Sequence, residues 1–304
     1  MIPANSIESH QDCGEQVDYV LAGTTMLTLG FIGCAINITV IIFLSKATVF
    51  HTSFGYICAS HLIADTGVLV VHIILSGPAT ILRLGEDVTA SVVGSCGIAV
   101  NRLLAIARPT LYNVIYTRKG IAIFISMFWI VSAVQSFVHF WHGCSYFYDV
   151  GQFSWIYSDT KCGRFASFYL DTTPSITSCV LIFVIHTATF SCIRKKTRIL
   201  LRTSAVYSTE QLLMLKKNIH FYVQEMLTAL SLTSIVICFH LISRFATSRW
   251  GKFASSTLVW LLAHIMDGII IIVFNKQLLA MFWRAFSRRL SKSSKTVAVN
   301  SAAN

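Results

Sequence analysis

Apolar stretches of about 20 residues, the length a helix needs to cross a bilayer, recur along this chain and are separated by short polar or basic breaks. They run from Tyr19 to Leu44, Ser53 to Leu75, Val88 to Ala107, Gly120 to Trp141, Phe165 to Cys192, Tyr222 to Ile242 and Ser255 to Phe274. In lipid every backbone N–H and C=O must be satisfied inside its own segment, so a chain of this pattern is confined to a bundle of membrane helices. The expected fold is an all-α membrane protein, a seven-transmembrane helix bundle within residues 1–290, followed by a disordered cytosolic tail over 291–304. With 55% hydrophobic and 12% charged residues, a soluble domain is excluded.

Charge orients the bundle. The formal charge of +11 does not imply nucleic acid, because the basic residues lie between apolar spans and not on one soluble face. With the amino end outside, 18 Lys and Arg fall in inner segments and six in outer ones. The acidic stretch before Tyr19 has Glu8, Asp12, Glu15 and Asp18 without a basic residue, which suits an outer terminus. Asn275 to Leu290 reads as an amphipathic helix lying along the inner leaflet, with Leu279, Phe282, Phe286 and Leu290 on one side. Lipid is therefore the first partner.

Two features are costly in hydrocarbon and so point to function. Asp65 near the middle of span two must be paired, hydrated or protonated, and Asn37 in span one must find a partner across the bundle. Arg102 at the inner end of span three is the second. It lies in Asn101-Arg102-Leu-Leu-Ala-Ile-Ala-Arg-Pro109-Thr-Leu-Tyr112, which resembles the DRYxAIxxPxxY signature of rhodopsin-like G-protein-coupled receptors, with Asn101 in the Asp place. The end of span seven, Asp267-Gly268 to Asn275, keeps half of the NPxxYxxxN pattern of the same superfamily, with Asp267 in the first Asn place. The wording of span two, Phe54-Gly55, Cys58, Ser60-His61, Ile63-Ala64-Asp65, Gly67-Val68-Leu69 and Pro78, is similar to the nematode serpentine receptor class X chemoreceptors.

That resemblance implies a receptor that passes the binding of an extracellular ligand to a heterotrimeric G protein. Asn101, Arg102, Pro109 and Tyr112 would form the coupling end, and Asn37, Asp65, Ser91, Asp267 and Asn275 a polar set at mid-membrane, with a possible sodium ion at Asp65. It also implies a plasma-membrane receptor, located in sensory-neuron cilia by family, with no cofactor. The usual receptor bridge joins the second outer loop to the top of span three. No cysteine stands there, so pairing of Cys144 with Cys162 inside the loop is expected, with Cys13 as the competitor. His139, His142 and Cys144 could in principle hold a metal, but three ligands of mixed exposure are more often interfacial.

Span three departs from the pattern. Arg102 follows Asp65 by only 37 positions, so the outer part of a long third helix is missing and its ligand contacts are in doubt. Span six lacks the central Pro and Trp of the superfamily. Alternative readings are a secondary transporter, or a receptor relative that no longer signals because its gene has decayed or a coding segment was dropped. No internal repeat favours the transporter, and neither a GxSxG nor an HExxH motif favours an enzyme.

Overall fold

The structure, a computed structural model, describes residues 4–47, 50–51, 53–83, 117–202, 209–284 and 287. Ser91, Asn101, Arg102, Pro109 and Tyr112, with the whole expected third span and the 291–304 tail, lie outside the described residues. Five described helical stretches are long and apolar enough to cross a membrane: Glu15–Lys46, Gly55–Leu82, Lys161–Ile199, Ile219–Phe245 and Arg249–Phe274. They stand for spans one, two, five, six and seven. The helix Arg118–Phe137 stands at the place of span four.

The helices run further than hydropathy alone predicts, for local reasons. Span two continues past Leu75 through a π turn, His72–Ser76, into Gly77–Leu82. Pro78 sits in the first turn of that last segment, where its missing N–H costs little. The helix stops where Arg83 turns left-handed at φ 54° and its N–H bonds back to Ala79 and Thr80. A second π turn, Ala166–Thr172, directly precedes Pro174 in span five, and two more interrupt spans six (Cys238–Ile242) and seven (Ala254–Leu258). Much of the expected inner loop 193–221 is helical, because Lys, Arg, Leu, Gln and Met favour helix and continue Thr173–Arg202 and Thr209–Ile237 beyond the membrane.

Span one packs along span two and span seven. Gly33 makes this possible: a Cβ there would stand 2.6 Å from Ile265 and 2.7 Å from Leu69. Span seven ends at Asn275, whose extended backbone (φ −120°, ψ 98°) breaks the helix. The Asn275 carbonyl then accepts from Leu279 N–H at 2.8 Å and starts the helix 276–284. Leu278 is fully buried, and Leu279, Met281 and Phe282 pack beside it, so this helix is anchored by its apolar face.

The outer loop forms one hairpin, with β1 (Tyr146–Asp149) antiparallel to β2 (Ser154–Tyr157) and Tyr146 opposite Tyr157. Asp149 builds the turn by accepting from Gly151 N–H at 2.8 Å and from the Gln152 amide at 2.6 Å. The hairpin is seated in the bundle. Phe153 is wholly buried, in a left-handed conformation (φ 53°) rare for a bulky residue, with its ring edge-on to Tyr19, Trp250 and Phe253. Its carbonyl accepts from Thr257 at 2.8 Å, Ser256 donates to Ser154 at 3.1 Å, and Thr80 donates to the Tyr148 hydroxyl at 3.1 Å. Cys144 and Cys162 form a disulfide that closes the base of the loop. Cys144 is thereby removed from any metal site with His139 and His142.

Two apolar clusters result. The one at the hairpin end gathers Met26, Leu69, Phe153, Trp155, Trp260 and Leu261, and the one at the opposite end gathers Val40, Leu44, Phe50, Leu62, Ile271 and Leu278. Buried polar residues lie between them.

Candidate functional site

The polar layer is built from three helices whose spacing places the right groups on facing sides. His61 and Asp65 are four residues apart in span two, and His264 and Asp267 three apart in span seven, so each pair shares a helix face. Where the faces meet, His61 Nε2 lies 3.1 Å from Asp267 Oδ2 and 3.7 Å from Asp65 Oδ2. His264 Nδ1 donates to Asp65 Oδ1 at 2.8 Å. Span one joins through Asn37, whose Nδ2 donates to the His264 carbonyl at 3.1 Å. All five side chains are buried or nearly so; Asp65 is 2% exposed and His61 11%.

Gly268 permits this approach. A Cβ at 268 would fall 2.2 Å from Asn37 Oδ1 and 3.0 Å from Ile36, so span seven can lie against Asn37 only where it has no side chain.

Two carboxylates this close need a positive partner or a proton held between them. Like charges about 4 Å apart repel by roughly 4 kcal/mol at an effective dielectric of 20, before either carboxylate is charged its desolvation. His61, Asp65 and Asp267 each offer one ligand atom within 4.8 Å of the others, and no second such group occurs among the described residues. Asp65 Oδ2, Asp267 Oδ1, Asn37 Oδ1 and His264 Nε2 make no hydrogen bond. Glu225 of span six is also buried and adds its field at His61.

The structure therefore brings Asn37, Asp65 and Asp267 into one layer. Asn275 lies apart from them, at the end of span seven, where its Nδ2 donates to Gln224 Oε1 at 3.1 Å and to the Ile271 carbonyl at 2.8 Å. That contact ties span seven to span six. His61 and His264 are further members of the layer; their spacing from the two aspartates fixes only that each pair shares a helix face.

At the hairpin end, Asp171 of span five accepts from Ser175 at 3.5 Å, lies 3.8 Å from His240 Nε2 of span six, and faces Tyr157 of the hairpin. Thr172 and His240 are 3.2 Å apart. Hairpin, span five and span six thus meet in a second polar group. Within the hairpin, burial pushes the phenols of Tyr146, Tyr148 and Tyr157 above their ordinary range, so each is held as a neutral hydroxyl.

A comparison with known families decides the class. Residues 27–275 match the family described as serpentine type seven-transmembrane G-protein-coupled chemoreceptor Srx. The chain belongs to the Srx family. This Srx chain is 22% identical over 298 residues to serpentine receptor class X 45 of Caenorhabditis elegans, covering 86% of this chain and 80% of that one. Its fold is that of a rhodopsin-like seven-transmembrane bundle: the crystal structure of squid rhodopsin superposes with a TM-score of 0.68 at 15% identity, covering 90% of this chain and 87% of that one. This Srx chain is accordingly a multi-pass membrane protein of a receptor family, not of an enzyme family.

Proposed function

We propose that this Srx chain is a chemosensory receptor of the plasma membrane, amino end outside, that couples an extracellular ligand to a heterotrimeric G protein. One observation carries the reading. A buried layer of ionisable groups joins spans one, two and seven between two apolar clusters, and span seven continues from it to the Asn275–Gln224 contact with span six. Packed apolar clusters rearrange between discrete states and not by small degrees, and a polar layer with unsatisfied atoms is the place where an alternative set of bonds is cheapest.

In this account the ligand acts where the hairpin, span five and span six meet, at Asp171, His240 and Tyr157. It must bind one arrangement of the bundle better than the other, because a ligand can shift an equilibrium only by its differential affinity. The inner ends of spans six and seven then change their contact, and Arg102, with Asn101, Pro109 and Tyr112, meets the G protein. Location in sensory cilia is part of the same proposal and comes from the family.

The test is a screen of small molecules on reporter cells expressing the full chain, with Arg102→Ala at matched surface expression. A compound that raises the second-messenger signal through the parent and not through Arg102→Ala supports coupling. A response that persists in Arg102→Ala, or solute uptake dependent on Asp65 with no G-protein signal, contradicts it.

A further inference from the structure

The resemblance to rhodopsin-like receptors points to a sodium ion at Asp65, and the residues around Asp65 do not fit one. A sodium ion between the two carboxylates would need oxygen ligands, and the place facing both Asp65 Oδ2 and Asp267 Oδ2 is held by a nitrogen, His61 Nε2, at 3.7 and 3.1 Å. Asp65 Oδ1 is committed to His264 Nδ1 at 2.8 Å. Asp65 Oδ2, Asp267 Oδ1 and Asn37 Oδ1 are buried without a hydrogen bond, and among the described residues the basic side chains within 4 Å of the two carboxylates are His61 and His264.

We infer that His61 takes the place of the ion: a side chain of span two supplies the positive partner that bridges Asp65 to Asp267, so the bundle does not use sodium. The charged groups around the imidazole are Asp65 on its own helix, Asp267 on span seven and Glu225 on span six, while His264 of span seven is bonded to Asp65. Carrying the cation covalently has a consequence for switching. An ion can leave when the bundle rearranges, whereas His61 must stay with span two, so any opening of the layer breaks the His61–Asp267 contact and leaves Asp267 without its partner. The inference concerns the layer alone and stands whether or not the chain couples to a G protein.

The test uses the full chain purified into lipid nanodiscs, with thermal unfolding followed in sodium chloride and in N-methylglucamine chloride of equal ionic strength. The parent should unfold at the same temperature in both salts. His61→Ala should unfold lower in N-methylglucamine and recover part of the loss in sodium, and adding Asp267→Asn should abolish that recovery. If His61→Ala does not yield a monodisperse protein, His61→Gln, which keeps a donor of similar size without the charge, must gain the sodium response instead. A sodium-specific rise in the parent that Asp65→Asn removes overturns the inference. So does a folded His61 variant with no sodium response. Zinc chloride added to the parent should also leave the midpoint unchanged; a rise that EDTA reverses and His61→Ala abolishes would make the trio a metal site and overturn the inference too.

Discussion

His61 Nε2 and Asp267 Oδ2, 3.1 Å apart, join the middle of span two to the middle of span seven although 206 positions separate them in the chain. The pair is buried, so its two halves cannot be lost independently. Truncating one partner of a buried pair costs about 3 to 5 kcal/mol, because the other charge is left uncompensated. His61→Leu and Asp267→Asn should each lower the unfolding midpoint in nanodiscs, and the double variant should be more stable than His61→Leu alone. Additive losses would show that the two residues do not form a unit.

Gly268 should tolerate no side chain while Asn37 is present. Gly268→Ala puts a carbon 2.2 Å from Asn37 Oδ1, an overpacking that costs about 1 to 3 kcal/mol. Combining it with Asn37→Ala should recover part of the loss, measured by the same thermal assay. A Gly268→Ala protein as stable as the parent would refute this close approach of spans one and seven.

The disulfide should hold the hairpin in its seat. Cys144 and Cys162 are 18 positions apart, and closing a loop of that size stabilises by about 3 kcal/mol in the chain-entropy model. Cys144→Ser and Cys162→Ser should each lose this amount, and the double variant no more than either. A double variant markedly worse than the singles would point to pairing with another thiol.

Alkaline pH should unseat the same hairpin. The neutral forms of Tyr146, Tyr148 and Tyr157 are favoured by burial, so their folded values are raised above the unfolded value of about 10. A group raised in this way contributes stability that is complete below the unfolded value and is lost as pH rises toward the folded one. Stability should therefore decline above about pH 10, and Tyr148→Phe should flatten the decline. An identical alkaline profile in Tyr148→Phe would exclude that phenol as a cause.

Five of the seven expected spans have a described helix long and apolar enough to cross, because each apolar stretch matches the thickness it must span, and Asn37, Asp65 and Asp267 stand out because polar groups in hydrocarbon are costly. Their histidine partners do not. A histidine among apolar residues is unremarkable by itself, and only the meeting of two helix faces makes His61 and His264 partners of Asp65 and Asp267. The seating of the hairpin was hidden for a related reason. Alternation in Tyr146 to Tyr157 gives a strand and a turn, but the burial of Phe153 depends on Tyr19, Trp250 and Phe253 from three distant segments. Helix ends at Arg202 and Thr209 exceeded the apolar limits because helix propensity does not stop at the membrane surface.

Coupling of the bundle to a G protein is read out by nucleotide exchange with the purified chain and a heterotrimeric G protein in one nanodisc. Asn101 stands where the superfamily has an acid that would hold Arg102, and a neighbouring charge in a partly buried site is worth about 1 to 3 kcal/mol. The account predicts basal exchange above that of the G protein alone, reduced by Asn101→Asp and abolished by Arg102→Ala. Exchange by the parent no faster than the G protein alone, and unchanged in both variants, would contradict it.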